Sequence, residues 1–141
     1  MINTLLLKLL VMSFRKEKKF RVTIPDLHAF KTQLLNLGMS AIYEPRIINS
    51  TYFDTSSLSM FFDSEEGNVP RKKIRVRWYN DEQKYIFEKK ISSIEGRHKT
   101  TDILEDIVSD SEILNKQFFD ALYGSVAPTL IVRYERSYFS F

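Results

Sequence analysis

Alternation of apolar and charged residues is strongest between residues 71 and 79, where a period of two predicts a β-strand with two different faces. Apolar side chains occupy the even positions from residue 74, and cations occupy the odd positions up to residue 77. The apolar set is Ile74, Val76 and Trp78, and the odd set is Arg71, Lys73, Arg75, Arg77 and Tyr79. We therefore expect one face of this strand to join the core and the other face to carry a row of cations.

The residues that follow predict an antiparallel hairpin. Residues 79–83 are rich in turn-forming residues, and residues 84–91 predict a return strand. On that strand, Ile86, Glu88 and Lys90 are expected on one side, and Tyr85, Phe87 and Ile91 on the other. The hairpin would therefore bring a carboxylate and a further cation onto the sheet that carries the cationic row.

Outside the hairpin, the pattern indicates an α+β fold dominated by antiparallel strands. Further strands are predicted at residues 14–24, 46–54 and 129–141, so the sheet would have about five strands in all. Residues 55–63 indicate a short helical or turn segment, and residues 64–70 indicate a loop with Gly and Pro in it.

Two main helices are predicted from apolar residues at helical spacing. The first begins at Asp26 as N-cap and ends at Gly38, and its apolar positions are Leu27, Phe30, Leu34 and Leu37. The second covers residues 111–123, with Ser111 as N-cap. We expect both helices to flank the sheet.

Composition narrows the class of protein. A chain of 141 residues with 43% hydrophobic residues, 4 Gly and 4 Pro fits one packed domain and excludes a disordered or collagen-like chain. Zero cysteines exclude a disulfide scaffold, a cysteine-ligated zinc site and a thiol nucleophile. We assign residues 13–141 to the domain and residues 1–12 to an N-terminal extension.

The extension is apolar but differs from a signal peptide. Lys8 interrupts its apolar run, and no small-residue cleavage site precedes residue 14. The chain also has no window of about 18 apolar residues that would predict a membrane span. Either Met12 is the initiator or residues 1–12 form a short helix on the domain; with either alternative we expect a cytoplasmic protein.

Charge is unevenly distributed although the net charge is only +3. Residues 71–77 hold five bases in seven positions, whereas residues 102–112 hold five acids and no base. A row of cations on one strand face is unfavourable unless acids of adjacent strands or an external anion lie against it. Arginine binds phosphate with two parallel hydrogen bonds, which favours the external anion.

The first predicted strand carries a similar polar face. Its alternating positions are Arg15, Glu17, Lys19 and Arg21. A sheet rolled with such faces inward would enclose a cation-lined interior that needs a polyanion, and isolated carboxylates would suit a divalent metal bound to phosphate oxygens. The pattern thus predicts phosphate chemistry.

Six segments in order resemble the polyphosphate polymerase domain of the vacuolar transporter chaperone (VTC) family. They are FRKEKKF, RIINSTYFDT, EEGNVPRKKIRVRWYN, FEKKIS, GRHKT and PTLIVRYERSYF, and they extend from about residue 13 to the C-terminus. The resemblance implies the triphosphate tunnel fold of the CYTH-like superfamily, a β-barrel whose polar interior binds triphosphate. It also implies a divalent metal, Mn²⁺ or Mg²⁺, and transfer of the γ-phosphoryl group of ATP to inorganic polyphosphate.

The resemblance assigns roles to individual residues. Arg75, Arg77 and Lys90 match the principal catalytic cations. Phosphate contacts are implied for these three and for Lys19, Arg71, Lys73, Lys99 and Arg136. Glu17 and Glu88 are implied as metal ligands, although Arg15 stands where related tunnel enzymes usually carry a glutamate.

The same resemblance implies further strands and a closing helix after Phe141, so we expect a partial barrel whose activity is impaired or depends on an oligomer or a complementing chain. An alternative is a non-catalytic module that binds polyphosphate or triphosphate. A third hypothesis, single-stranded nucleic-acid binding with Trp78 and Tyr79 as stacking platforms, is less favoured, because Glu17 and Glu88 would repel a phosphate backbone.

Overall fold

A computed structural model describes residues 18–141, which contain three helices and six strands. Contacts divide the chain into two units, one ending at Met39 and the other running from Ser40 to Phe141. The helices are α1 (Ile24–Asn36), α2 (Ser59–Glu66) and α3 (Asp110–Ile113). The strands are β1 (Ser40–Asp54), β2 (Arg71–Tyr79), β3 (Ile86–Ser93), β4 (Gly96–Ile103), β5 (Phe118–Asp120) and β6 (Gly124–Ser140).

In the first unit, α1 begins earlier than predicted. Thr23, not Asp26, is its N-cap: the Thr23 hydroxyl accepts a hydrogen bond from the backbone N–H of Asp26, and proline stands in the first turn. The helix ends before Gly38, whose φ of +103° favours glycine. Residues 18–23 form no strand, so the predicted strand 14–24 is wrong for these residues, and residues 14–17 lie outside the described part of the chain.

The second unit is a curled half-barrel built from one antiparallel sheet, which confirms the α+β prediction. The strand order is β4-β3-β2-β1-β6-β5. The strand β2 spans the predicted residues 71–79, and it pairs with β3 as the predicted hairpin. The return strand is shifted by two residues, to 86–93, and sequence analysis missed β4.

The core lies on one face of the sheet. Ile74, Val76 and Trp78 are buried as their alternation predicted, and Trp78 packs edge-on to Tyr85 with ring centroids 5.6 Å apart. Phe118 inserts between Phe53 and Phe87, at centroid distances of 4.8 and 4.7 Å. The remaining buried members of this cluster are Met60, Ile107, Ile113 and Val126.

The predicted helix 111–123 is wrong. Only Asp110–Ile113 are helical, and residues 118–120 form β5 instead. Asp120 explains this change, because its buried carboxylate accepts hydrogen bonds from Lys72 Nζ and from the backbone N–H of Leu122. A long-range ion pair and the packing of Phe118 thus override the local helical pattern.

The segment between β1 and β2 is more helical than predicted. The Asp54 carboxylate caps α2 by accepting hydrogen bonds from the backbone N–H groups of Met60 and Phe61, both at 2.9 Å. The helix continues into the predicted loop and ends at Gly67, whose φ of +76° is the left-handed conformation of a helix C-cap. Asp54 therefore fixes α2 against the end of β1.

Candidate functional site

Strand register places cations from three neighbouring strands on one face. Directly paired residues of an antiparallel sheet point to the same side. Arg75 of β2 pairs with Glu88 of β3 and with Tyr52 of β1, and Arg77 pairs with Ser50. We call this surface the cationic face; its charged members are Arg71, Lys73, Arg75, Arg77, Glu88, Lys90, Arg97 and Lys99.

Glu88 is held at the centre of the cationic face by two cations. Its Oε2 accepts from Arg75 Nε at 2.5 Å, and its Oε1 accepts from Lys99 Nζ at 2.6 Å. Burial alone would raise the pKa of Glu88, but the hydrogen bonds from Lys99 and Arg75 outweigh it and lower that pKa. Glu88 is only 4% exposed, and these two cations keep it ionised despite its burial.

β1 orients the two arginines of β2. The Tyr52 hydroxyl accepts a hydrogen bond from Arg75 Nη1 at 3.0 Å, and the Arg75 guanidinium lies 5.8 Å from the centre of the Tyr52 ring. Arg77 Nε donates to Ser50 Oγ at 3.2 Å. Each guanidinium thus has a fixed partner in the sheet and retains N–H donors for a ligand.

Lys90 lies between two other lysines on the cationic face. It pairs with Lys73 across β2 and with Lys99 across β4. Burial lowers the pKa of Lys90, and the nearby charge of Arg75 lowers it further, against the opposing effect of Glu88. Three ammonium groups in adjacent positions repel one another, and an anion bound among them would relieve this repulsion.

Arg71 and Lys73 lie at the α2 end of the cationic face. Arg71 Nη1 donates to the carbonyls of Gly67 and Asn68, at 3.3 and 3.0 Å, so its guanidinium anchors the loop after α2. Lys73 is exposed, and it lines a cavity of about 530 Å³ between α2 and the sheet. The two cations therefore have different surroundings, and Lys73 is the one that borders open space.

Arg136 lies on the same side of the sheet but beyond the end of β2. Arg136 pairs with Arg46 of β1. On β6 it lies four residues, or about 13 Å of strand, from Val132, which pairs with Ser50. Its guanidinium lies 5.4 Å from the Tyr134 ring centre and 6.0 Å from that of Tyr138. Arg136 thus extends the cationic face without contacting Arg75 or Arg77.

Two predicted site residues belong to the N-terminal part of the chain. Lys19 lies in the first unit, ahead of α1. Glu17 lies outside the described residues. The roles of both in phosphate or metal binding stay predictions.

The metal prediction depends on Glu88 within the described residues. No group of three metal-binding side chains occurs in residues 18–141. Mg²⁺ and Mn²⁺ prefer carboxylate and phosphate oxygens, and both Glu88 oxygens already accept from Arg75 and Lys99. The described residues therefore do not fit a resident metal centre, and divalent-metal binding stays a prediction.

Sequence analysis missed the partners of the arginines and a second ion cluster. Ser50 and Tyr52 were not singled out, because only strand register shows which side chains face Arg77 and Arg75. On the opposite side of the sheet, the buried Asp120 accepts hydrogen bonds from Lys72 and contacts Lys89 at 3.1 Å. The alternation of residues within one strand does not show which residue of the next strand pairs with them, so these cross-strand pairs could not be predicted.

Comparison with known protein families gives a match over most of the chain. A family model described as the VTC domain matches residues 14–141. No curated protein and no solved structure shows significant similarity to the chain. Within residues 18–141, no helix combines the length and the apolar character needed to cross a membrane. Because the matched segment covers nearly the whole chain, the protein belongs to the VTC domain family.

Proposed function

We propose that the cationic face binds the triphosphate of ATP and inorganic polyphosphate, as part of a polyphosphate polymerase reaction. Membership of the VTC domain family supports a polyphosphate-related function. The observation that carries the proposal is the register that aligns Arg75, Arg77 and Lys90 on one side of the sheet. Seven cations share this face with one carboxylate, and they leave an excess of positive charge that a polyanion would neutralise.

In the proposed reaction, a terminal oxygen of polyphosphate attacks the γ-phosphorus of ATP. The bond from that phosphorus to the oxygen that bridges it to the β-phosphorus breaks, and ADP leaves with the bonding electrons. The attacking oxygen is already anionic, so the step needs no general base. Arg75, Arg77 and Lys90 would hold the phosphates in line and neutralise charge as it develops, which is the main contribution of a protein to phosphoryl transfer.

Lys73 and Lys99 would extend phosphate binding along the sheet. Lys73 pairs with Lys90 from β2, and Lys99 pairs with Lys90 from β4. A linear chain of phosphates that crosses these strands would therefore meet three ammonium groups in succession. Arg136 is proposed as a further contact, and Arg71 as a support that also binds the loop after α2. Any Mn²⁺ or Mg²⁺ would arrive bound to the triphosphate, and Glu88 would ligate it only after release from Arg75 or Lys99.

A non-catalytic binding module is the second candidate. The observation that favours it is the pairing of Glu88 with Arg75 and Lys99, because it withdraws this carboxylate from metal binding. Such a module would bind tripolyphosphate or polyphosphate through the same cations and would leave ATP unchanged.

The test is calorimetric titration of the chain with tripolyphosphate and with ATP, each with and without Mn²⁺, followed by an assay of polymer formation. The informative variant is Arg77→Ala, and Arg133→Ala is the matched control, because Arg133 is an exposed arginine that pairs with Asn49 on the other side of the sheet. We expect saturable binding that Arg77→Ala weakens by about tenfold and Arg133→Ala leaves unchanged.

Polymer formation would establish the polymerase, and binding without turnover would establish the binding module. Equal loss in both variants would contradict the cationic face as the binding site. Tighter binding of a single-stranded oligonucleotide than of polyphosphate with equal charge would replace both candidates by nucleic-acid recognition.

A further inference from the structure

The cavity beside α2 adjoins the α2 end of the cationic face. Tyr52, Lys73, Leu130 and Val132 border it from the sheet, and all four belong to the face that carries Arg75. Lys73 and Arg75 are two residues apart on β2, so their backbones are about 7 Å apart. A ligand whose phosphates contact Arg75 would therefore reach the cavity with its next chemical group.

The cavity differs from the cationic face in chemistry. Apolar side chains line most of it: Leu58, Met60 and Phe61 from the α2 side, and Leu130 and Val132 from β6. Phe61 is 52% exposed and Leu130 is 57% exposed, so both present apolar surface that a ligand would cover. The volume of about 530 Å³ lies within the usual range for small-molecule sites.

Charge gives the site a direction. Lys73 borders the cavity where it meets the cationic face, and Glu65 of α2 and Asp54, which caps α2, also line it. A phosphate chain would be attracted towards Lys73 and Arg75 and repelled by Glu65 and Asp54. A ligand with an anionic chain at one end and an uncharged, planar group at the other matches this polarity.

We propose that the cavity binds the nucleoside of a nucleoside triphosphate whose phosphates lie on the cationic face. This inference rests on the proposed function and adds a second subsite to it. The Phe61 ring supplies the aromatic surface on which a base stacks, and Leu130 covers apolar surface from the β6 side. The site thereby distinguishes ATP, which fills both subsites, from inorganic tripolyphosphate, which fills one.

The experiment compares the dissociation constants of ATP and tripolyphosphate at one fixed Mg²⁺ concentration. The variants are Phe61→Ala and Leu130→Ala, with Phe119→Ala as the matched control, because Phe119 is 80% exposed and does not line the cavity. Circular dichroism of each variant verifies the fold. We expect Phe61→Ala to weaken ATP binding by about tenfold and to leave tripolyphosphate binding unchanged within about twofold.

Each outcome has one meaning. Selective loss of ATP binding in Phe61→Ala and Leu130→Ala supports the nucleoside subsite. Equal changes for both ligands, no change for either, or a wild-type chain that binds tripolyphosphate but not ATP overturns the subsite and leaves the proposed phosphate binding intact. A wild-type chain that binds neither ligand overturns the proposed function and the subsite together.

Discussion

Arg75 donates from Nε to Glu88 Oε2 across 2.5 Å, and this contact joins β2 to β3 at the centre of the cationic face. The carboxylate is nearly inaccessible to water, and Lys99 is its second cationic partner. An ionised carboxylate at such a position depends on its partners, because water no longer solvates it. Arg75 therefore has a structural role as well as a proposed role in binding.

We predict that Arg75→Ala lowers the free energy of unfolding by about 2 kcal/mol, because Glu88 stays buried with Lys99 as its one remaining ion-pair partner. Arg77→Ala removes a hydrogen bond to Ser50 and should cost less than about 1 kcal/mol. Urea unfolding of both variants measures the difference. The double variant Arg75→Ala, Glu88→Gln should regain much of the lost stability; if it does not, the loss has a cause other than the uncompensated buried charge of Glu88.

Glu88→Gln tests how this carboxylate affects anion binding. Removing its charge leaves Arg75 and Lys99 without an anionic partner, so we expect tripolyphosphate to bind severalfold more tightly in the presence of EDTA. Asp102→Asn is the control, because Asp102 pairs with Phe87 on the other side of the sheet. Weaker binding in EDTA would contradict this interpretation. If Mn²⁺ strengthens binding to the wild type but not to Glu88→Gln, Glu88 is a metal ligand.

Asp120 should make the free energy of unfolding depend on pH in the acidic range. Burial alone would raise the pKa of Asp120, but hydrogen bonds from Lys72 and from the Leu122 N–H lower it to about 2. A depressed pKa stabilises the fold above about pH 4, and this contribution disappears as the pH falls towards 2. Asp120→Asn should therefore cost about 2 kcal/mol at pH 7 and progressively less in acid.

Urea unfolding at a series of pH values between 2 and 7 measures this effect. The control is Asp106→Asn, which removes an exposed ion pair with Lys116 and should change stability little. A constant difference between wild type and Asp120→Asn across the series would show that the carboxylate does not titrate as an ion-paired group.

Lys90 should make the affinity for tripolyphosphate depend on pH in the alkaline range. Its pKa is lowered by burial and by the charge of Arg75, so it loses its proton at a lower pH than an ordinary lysine. We expect the affinity for tripolyphosphate to fall as the pH rises through that region. Lys90→Arg keeps a positive charge at every pH tested, and its affinity should remain flatter. Identical pH profiles for the two proteins would assign the titration to another group.

The sequence predicted best the part of the sheet in which local pattern and packing agree. In β2, alternation alone separated the buried Ile74 and Val76 from the cationic row, because that strand has one dry face and one polar face. The family resemblance supplied the proposed roles of Arg75 and Arg77, and the match of the VTC domain model to residues 14–141 confirms that resemblance.

The errors arose where distant contacts decide the local structure. Residues 111–123 have helical periodicity, but the Lys72–Asp120 pair and the packing of Phe118 against Phe53 and Phe87 convert part of this segment into β5. β4 was missed because all of its residues are exposed, so it lacks the apolar alternation that identifies a strand. The partners Ser50 and Tyr52 require knowledge of register, which no single segment contains.

The position of β4 at the margin of the described sheet affects how copies of the protein meet. An edge strand offers backbone groups to any other strand, and uncontrolled pairing of this kind leads to aggregation. β4 carries Arg97 and Lys99, and two β4 strands that met edge to edge would bring these charges together. Lys99, which is proposed to bind phosphate within one molecule, would thus also oppose pairing between molecules, because like charges on facing edge strands repel.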